Sequence, residues 1–179
     1  NQNTMNTYFI RHTKILDIDE ATRAMIFNDK RIAIHFPWTK NNPEGSKEDS
    51  ISLNPNDYET SGKKALNALL QLANDGGYVC SQYHSFDKYL IGKVIPNSKV
   101  EIIKGSWGKN EGRVGREAVL KTLKLKQCRL LEPYSYAPIH IGRPRQGTIM
   151  QWKSCGDLIK RLVENEKILF SNEALDPLD

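Results

Sequence analysis

Asp75-Gly76-Gly77-Tyr78-Val79-Cys80-Ser81-Gln82-Tyr83, followed after a short link by Tyr89-Leu90-Ile91-Gly92-Lys93-Val94-Ile95, is the stretch that decides the fold class. A glycine pair closes whatever precedes it. Two runs rich in aromatic and β-branched residues then follow, and the link His84 to Lys88 is too short for a crossover helix, so an antiparallel hairpin is predicted. Pro96-Asn97-Ser98 turns the chain into a further strand at Val100-Glu101-Ile102-Ile103. Strands linked this closely disfavour a parallel, doubly wound sheet.

Upstream, a helix from Asp57 or Ser61 to Asn74 buries Ala65, Leu66, Leu69, Leu70 and Ala73, with Asp75-Gly76-Gly77 as its C-cap. Before it, residues 37–56 form a long polar loop expected at the surface. Tyr8-Phe9-Ile10-Arg11 and Arg31 to Phe36 read as strands. Between them, Asp17 and Glu20 form a capping pattern for a helix ending near Asn28-Asp29. Downstream, Gly105, Gly108, Gly112 and Gly115 punctuate a basic loop around Trp107. Val119, Lys121, Leu123, Leu125 and Gln127 then share one parity, the pattern of a long half-exposed strand. Residues 133–147 look irregular and 148–152 form a brief strand. A last helix starts at Ser154 with Asp157 completing its cap, and Trp152 packs in the core against it.

This order predicts an α+β domain: a strongly bent, mostly antiparallel sheet or small open barrel flanked by about three helices, spanning residues 5–170, with an acidic tail at 171–179. The length of 179 residues suits a single domain.

Charge is unevenly placed. Residues 1–98 carry 11 Lys/Arg and 11 Asp/Glu, residues 99–161 carry 14 and 5, and residues 162–179 carry 1 and 5. A polyanion would gain from the middle stretch by counterion release; a basic face that keeps the chain soluble is the plainer reading. No apolar run is long enough for a membrane helix, nothing at the N-terminus has the regions of a secretory signal, and a cytoplasmic location is expected. Cys80, Cys128 and Cys155 are odd in number and lack Cys-x-x-Cys spacing, which argues against disulfides and zinc. His12, His35, His84 and His140 are scattered. Asp57, Glu59 and Lys63 lack the strand setting a nuclease metal site needs, so no catalytic residue, metal or cofactor is expected.

Several local patterns resemble the PUA-like superfamily, and within it the YTH and EVE readers of modified bases. They are Thr7-Tyr8-Phe9-Ile10-Arg11, then Lys30-Arg31-Ile32-Ala33-Ile34-His35, then Gly62-Lys63-Lys64-Ala65-Leu66-Asn67-Ala68 leading through Gly77-Tyr78-Val79 into Tyr89-Leu90-Ile91-Gly92-Lys93-Val94. The resemblance covers most of residues 7–152. It implies a domain that holds one flipped or single-stranded base between aromatic walls while basic residues hold phosphates. Trp107 then corresponds to a cage tryptophan, Trp38 lies near a second cage position, and His35 lies where the second strand meets the pocket. Tyr83 either packs in the sheet or lines that pocket. Arg143, Arg145 and Gln146 resemble a late backbone-contacting stretch. Lys104, Lys109, Arg113 and Arg116 are assigned to phosphate on charge alone.

The expected partner is nucleic acid, DNA ahead of RNA, within a restriction or defence protein whose effector domain lies elsewhere. Two other classes fit the same residues: a B3-like reader of the duplex groove, and a protein-interaction module with a basic face.

Overall fold

The computed structural model describes residues 5–12, 16–83, 88–108, 115–132, 139, 143–144, 147–164 and 175–177. Nine strands and three α-helices follow in the order β1 (Asn6–His12), α1 (Glu20–Asn28), β2 (Arg31–Ile34), α2 (Thr60–Asp75), β3 (Gly77–Tyr83), β4 (Tyr89–Val94), β5 (Glu101–Ser106), β6 (Glu117–Lys124), β7 (Lys126–Leu131), β8 (Ile149–Gln151), α3 (Gly156–Val163) and β9 (Leu175–Pro177), among the described residues. The α+β class stands. The strands divide into a six-stranded sheet, ordered β8-β1-β3-β4-β7-β9, and a three-stranded sheet, ordered β2-β6-β5, which are not closed into a barrel. Among the described residues only β1 and β3 pair parallel, across the crossover that contains α1, β2 and α2, and every other strand pairing is antiparallel.

The large sheet is covered on both faces, which is why its central strands read as nearly continuous apolar runs. Tyr8, Ile10, Val79, Tyr83, Leu90 and Val94 point into a core shared with α1, α2 and the small sheet. Phe9, Tyr78, Cys80, Tyr89 and Ile91 point the other way, onto Trp152 and the Ile159, Leu162 and Val163 face of α3. The expected hairpin is β3–β4, running from Gly77 opposite Val94 to Gln82 opposite Tyr89. Gly76 ends α2 at φ +75°, a conformation glycine adopts without strain.

Four sequence expectations need correction. The cap of α1 is Asp19, whose carboxylate accepts from the Thr22 amide at 2.9 Å; Asp17 lies outside the helix with φ 54°. The long strand expected through Gln127 is two strands in different sheets. Leu125 donates its amide to the Lys30 carbonyl at 2.8 Å and Gln127 adopts φ 53°, so the chain turns a corner from the small sheet into the large one. The first part of it is not half-exposed either, since Ala118 through Leu123 are all buried. Finally, α3 is capped at Cys155, with no side-chain capping bond.

Within the acidic tail, residues 175–177 pair with β7 at the edge of the large sheet. No described helix is long and apolar enough to cross a membrane.

Candidate nucleic-acid interface

The segment that leaves β2 builds one wall of a cleft in the described surface. His35-Phe36-Pro37-Trp38 runs out from the small sheet, and the chain folds back so that the Ser50 amide donates to the Pro37 carbonyl at 2.9 Å. Asn42 fastens the return by donating its side-chain amide to the Pro37 and Glu48 carbonyls at 3.0 and 2.8 Å. The loop expected at the surface therefore has a buried base, with Thr39 on one side and Asp49 and Ser50 on the other of an outward turn at residues 40–48.

Asp49 explains that burial. One carboxylate oxygen accepts from His35 Nε2 at 2.8 Å and from the Val119 amide at 3.0 Å; the other accepts from Trp107 Nε1 at 3.2 Å and lies 3.5 Å from Arg116 Nη2. Burial pushes its carboxyl upward, but hydrogen bonds from His35, Val119 and Trp107 outweigh this and hold it below the usual carboxylate range. His35 Nδ1 faces the Leu16 carbonyl at 2.6 Å, so both ring nitrogens meet oxygen acceptors.

Around this carboxylate the structure gathers four of the anticipated residues. The His35 and Trp107 rings meet edge to face with centroids 4.6 Å apart, and Trp38 tilts over Trp107 at 5.9 Å. The Arg116 guanidinium lies 5.4 Å from the Trp38 centroid and 5.6 Å from that of Trp107, with Nη2 donating to the Ser46 carbonyl at 2.6 Å. Trp107 differs from its expected place at a pocket mouth. It is 3% exposed, and its strand-like bridge to Ile18 and amide bond to the Arg116 carbonyl fix it beneath the surface.

Of the two tryptophans gathered here, Trp38 is the one that reaches a cavity. A cleft of about 580 Å³ is lined by Phe36, Trp38, Thr39, Lys40, Tyr58 and the start of α2, among others. Gly62 lets α2 approach closely, because a Cβ there would stand 3.2 Å from Phe36 Cδ1 and 3.3 Å from Tyr58 Cβ. A second cavity of about 550 Å³ shares Phe36 and Ser61 and adds His35, Lys64 and the segment Gly147 to Met150. Both volumes fall in the range of small-molecule sites.

The remaining anticipated residues lie elsewhere. Tyr83 is fully buried, stacked on His12 at 4.2 Å, with its hydroxyl donating to the Arg31 carbonyl at 2.5 Å; it packs in the sheet and faces neither cavity. Lys104 is exposed on β5 and lies 3.5 Å from Glu117. Arg143 stands near Tyr89 and Arg11, away from the cleft. Lys109, Arg113, Arg145 and Gln146 lie outside the described residues.

Sequence reading missed Phe36, Tyr58, Asp49 and Lys121. Lys121 is 1% exposed, donates to the Ser50 carbonyl at 3.1 Å and holds its ammonium 5.3 Å from the Tyr58 centroid; burial pushes it down to about 8. Its signal was present, since it is a charge set between Val119 and Leu123 on one parity of β6.

No protein-family model, curated protein or solved structure matches this chain.

Proposed function

We propose that this domain binds nucleic acid and takes an unstacked base into the Trp38 cleft, without catalysis of its own. The observation that carries the reading is a half-buried tryptophan lining a cavity of about 580 Å³, beside a second cavity of similar size. A base that leaves its stack loses stacking energy, and an aromatic wall restores roughly 1–3 kcal/mol. The role expected of Trp107 passes to Trp38, with Trp107 as the buried support behind it.

Phosphate binding is supported by the first turn of α2. It contributes Thr60, Ser61 and Gly62 to the cleft, its N-cap Glu59 makes no side-chain capping bond, and Lys63 and Lys64 follow. The positive end of a helix dipole and the two lysines favour an anion, against the opposing carboxylates of Glu59 and Glu44.

The experiment is fluorescence anisotropy with labelled single-stranded and duplex oligonucleotides, modified and unmodified, over a salt series. Salt-sensitive binding that Trp38→Ala weakens by about 5- to 100-fold is expected. Binding that is absent, or indifferent to Trp38→Ala, overturns the reading.

A further inference from the structure

Trp38 and Tyr58 are two of the aromatic side chains that line the cleft, and each carries a cation over its ring: Arg116 at 5.4 Å and Lys121 at 5.3 Å. Neither cation lines the cleft. Both are withdrawn from solvent, the Arg116 side chain to 22% exposure and Lys121 to 1%. Each therefore contacts a ring of the lining without itself belonging to the lining.

The charge beneath the cleft is only partly compensated. Asp49 is the buried carboxylate near all of these groups, and it also accepts from His35. The same Asp49 oxygen also accepts from the Val119 amide at 3.0 Å. Asp49 is thus shared among His35, Arg116 and the more distant Lys121.

A cation held against one side of a π system draws electron density toward itself. The ring then attracts a second cation less, and direct charge repulsion adds to the effect. Glu44 and Glu59 line the cleft with the opposite sign, as Lys40 does with the same sign. All three are exposed, where water and salt weaken their influence.

We infer that the Trp38 cleft accepts neutral rings and rejects positively charged ones. This rests on the base-binding reading and names its ligand class: a neutral or electron-rich nucleobase, with fixed cations such as a ring-alkylated purinium or a methylated ammonium excluded.

The test compares single-stranded pentanucleotides identical except for the central base, read by quenching of tryptophan fluorescence. Adenine, N6-methyladenine and N1-methylguanine are neutral, whereas N1-methyladenine is a cation at neutral pH; N1-methylguanine controls for a methyl on the same ring nitrogen. The cationic base is expected to bind at least about tenfold more weakly than the neutral set. Arg116→Met, which keeps an apolar chain near Trp38 and removes the charge, is expected to narrow that gap. If this variant does not fold, the wild-type comparison decides alone.

Equal or tighter binding of N1-methyladenine overturns the inference and leaves base binding standing. Failure of all four probes to bind, or binding indifferent to Trp38→Ala, overturns the base-binding reading and this inference with it.

Discussion

Replacing Lys121 by methionine isolates the cost of the charge buried beneath Tyr58. The ammonium has a carbonyl at 3.1 Å and a ring at 5.3 Å, and burial lowers its pKa from 10.5 to about 8. A depression of that size corresponds to about 3 kcal/mol, with the unfolded chain holding the proton more tightly. Below pH 8 the folded protein bears this whole penalty. As pH rises from 8 toward 10.5 the folded state has released its proton while the unfolded state keeps it, so the penalty fades and stability rises.

Methionine removes the penalty at every pH but leaves the Ser50 carbonyl without its donor, at a cost of about 1–3 kcal/mol. Lys121→Met is therefore expected to match or modestly exceed wild-type stability at pH 7. The wild type should gain about 3 kcal/mol on the variant between pH 7 and 10.5. Urea unfolding of both proteins across that range measures the difference, in which other titrating groups cancel. A variant markedly less stable at pH 7, with a gap that does not move with pH, would refute the assignment of Lys121 as a strained buried cation.

Asp49→Asn should destabilise by about 3–5 kcal/mol in thermal or urea melts, because several donors lose a charged acceptor at once. Asp49 titrates below its unfolded value, so its contribution is present above the unfolded pKa and lost as pH falls through the folded one; the variant's deficit should shrink on acidification. Tyr83→Phe removes the hydroxyl and with it the bond to the Arg31 carbonyl, and should cost about 1 kcal/mol while leaving oligonucleotide affinity unchanged. A loss of affinity in that variant would return Tyr83 to the binding site.

Elements made by local pattern were readable from sequence. The β3–β4 hairpin and α2 announce themselves through period-2 and 3.6-residue spacing and through Gly76. The corner between β6 and β7 was hidden because Val119, Lys121, Leu123, Leu125 and Gln127 keep one parity straight through it. What bends the chain is the Lys30 carbonyl, far away in sequence.

The site was less legible for the same reason. Asp49 sits in a polar loop, and its partners His35, Trp107 and Val119 are 14, 58 and 70 residues away. Trp107, between Ser106 and Gly108, looks superficial until the bridge to Ile18 is seen. Trp38 and His35 could be singled out because they close a well-marked strand. Lys121 could have been, as a lysine among leucines and valines.

β1 lies between β3 and β8, pairing with residues 77–83 on one side and 149–151 on the other. The earliest part of the chain thus waits on one of the latest, a long-range closure that slows folding relative to a fold built from neighbouring pieces. The Gly147–Met150 wall of the second cavity is completed in that same step. The two neighbouring hollows thus mature at different times: the lining of the Trp38 cleft lies within residues 36–62, whereas its neighbour waits for residues 147–150.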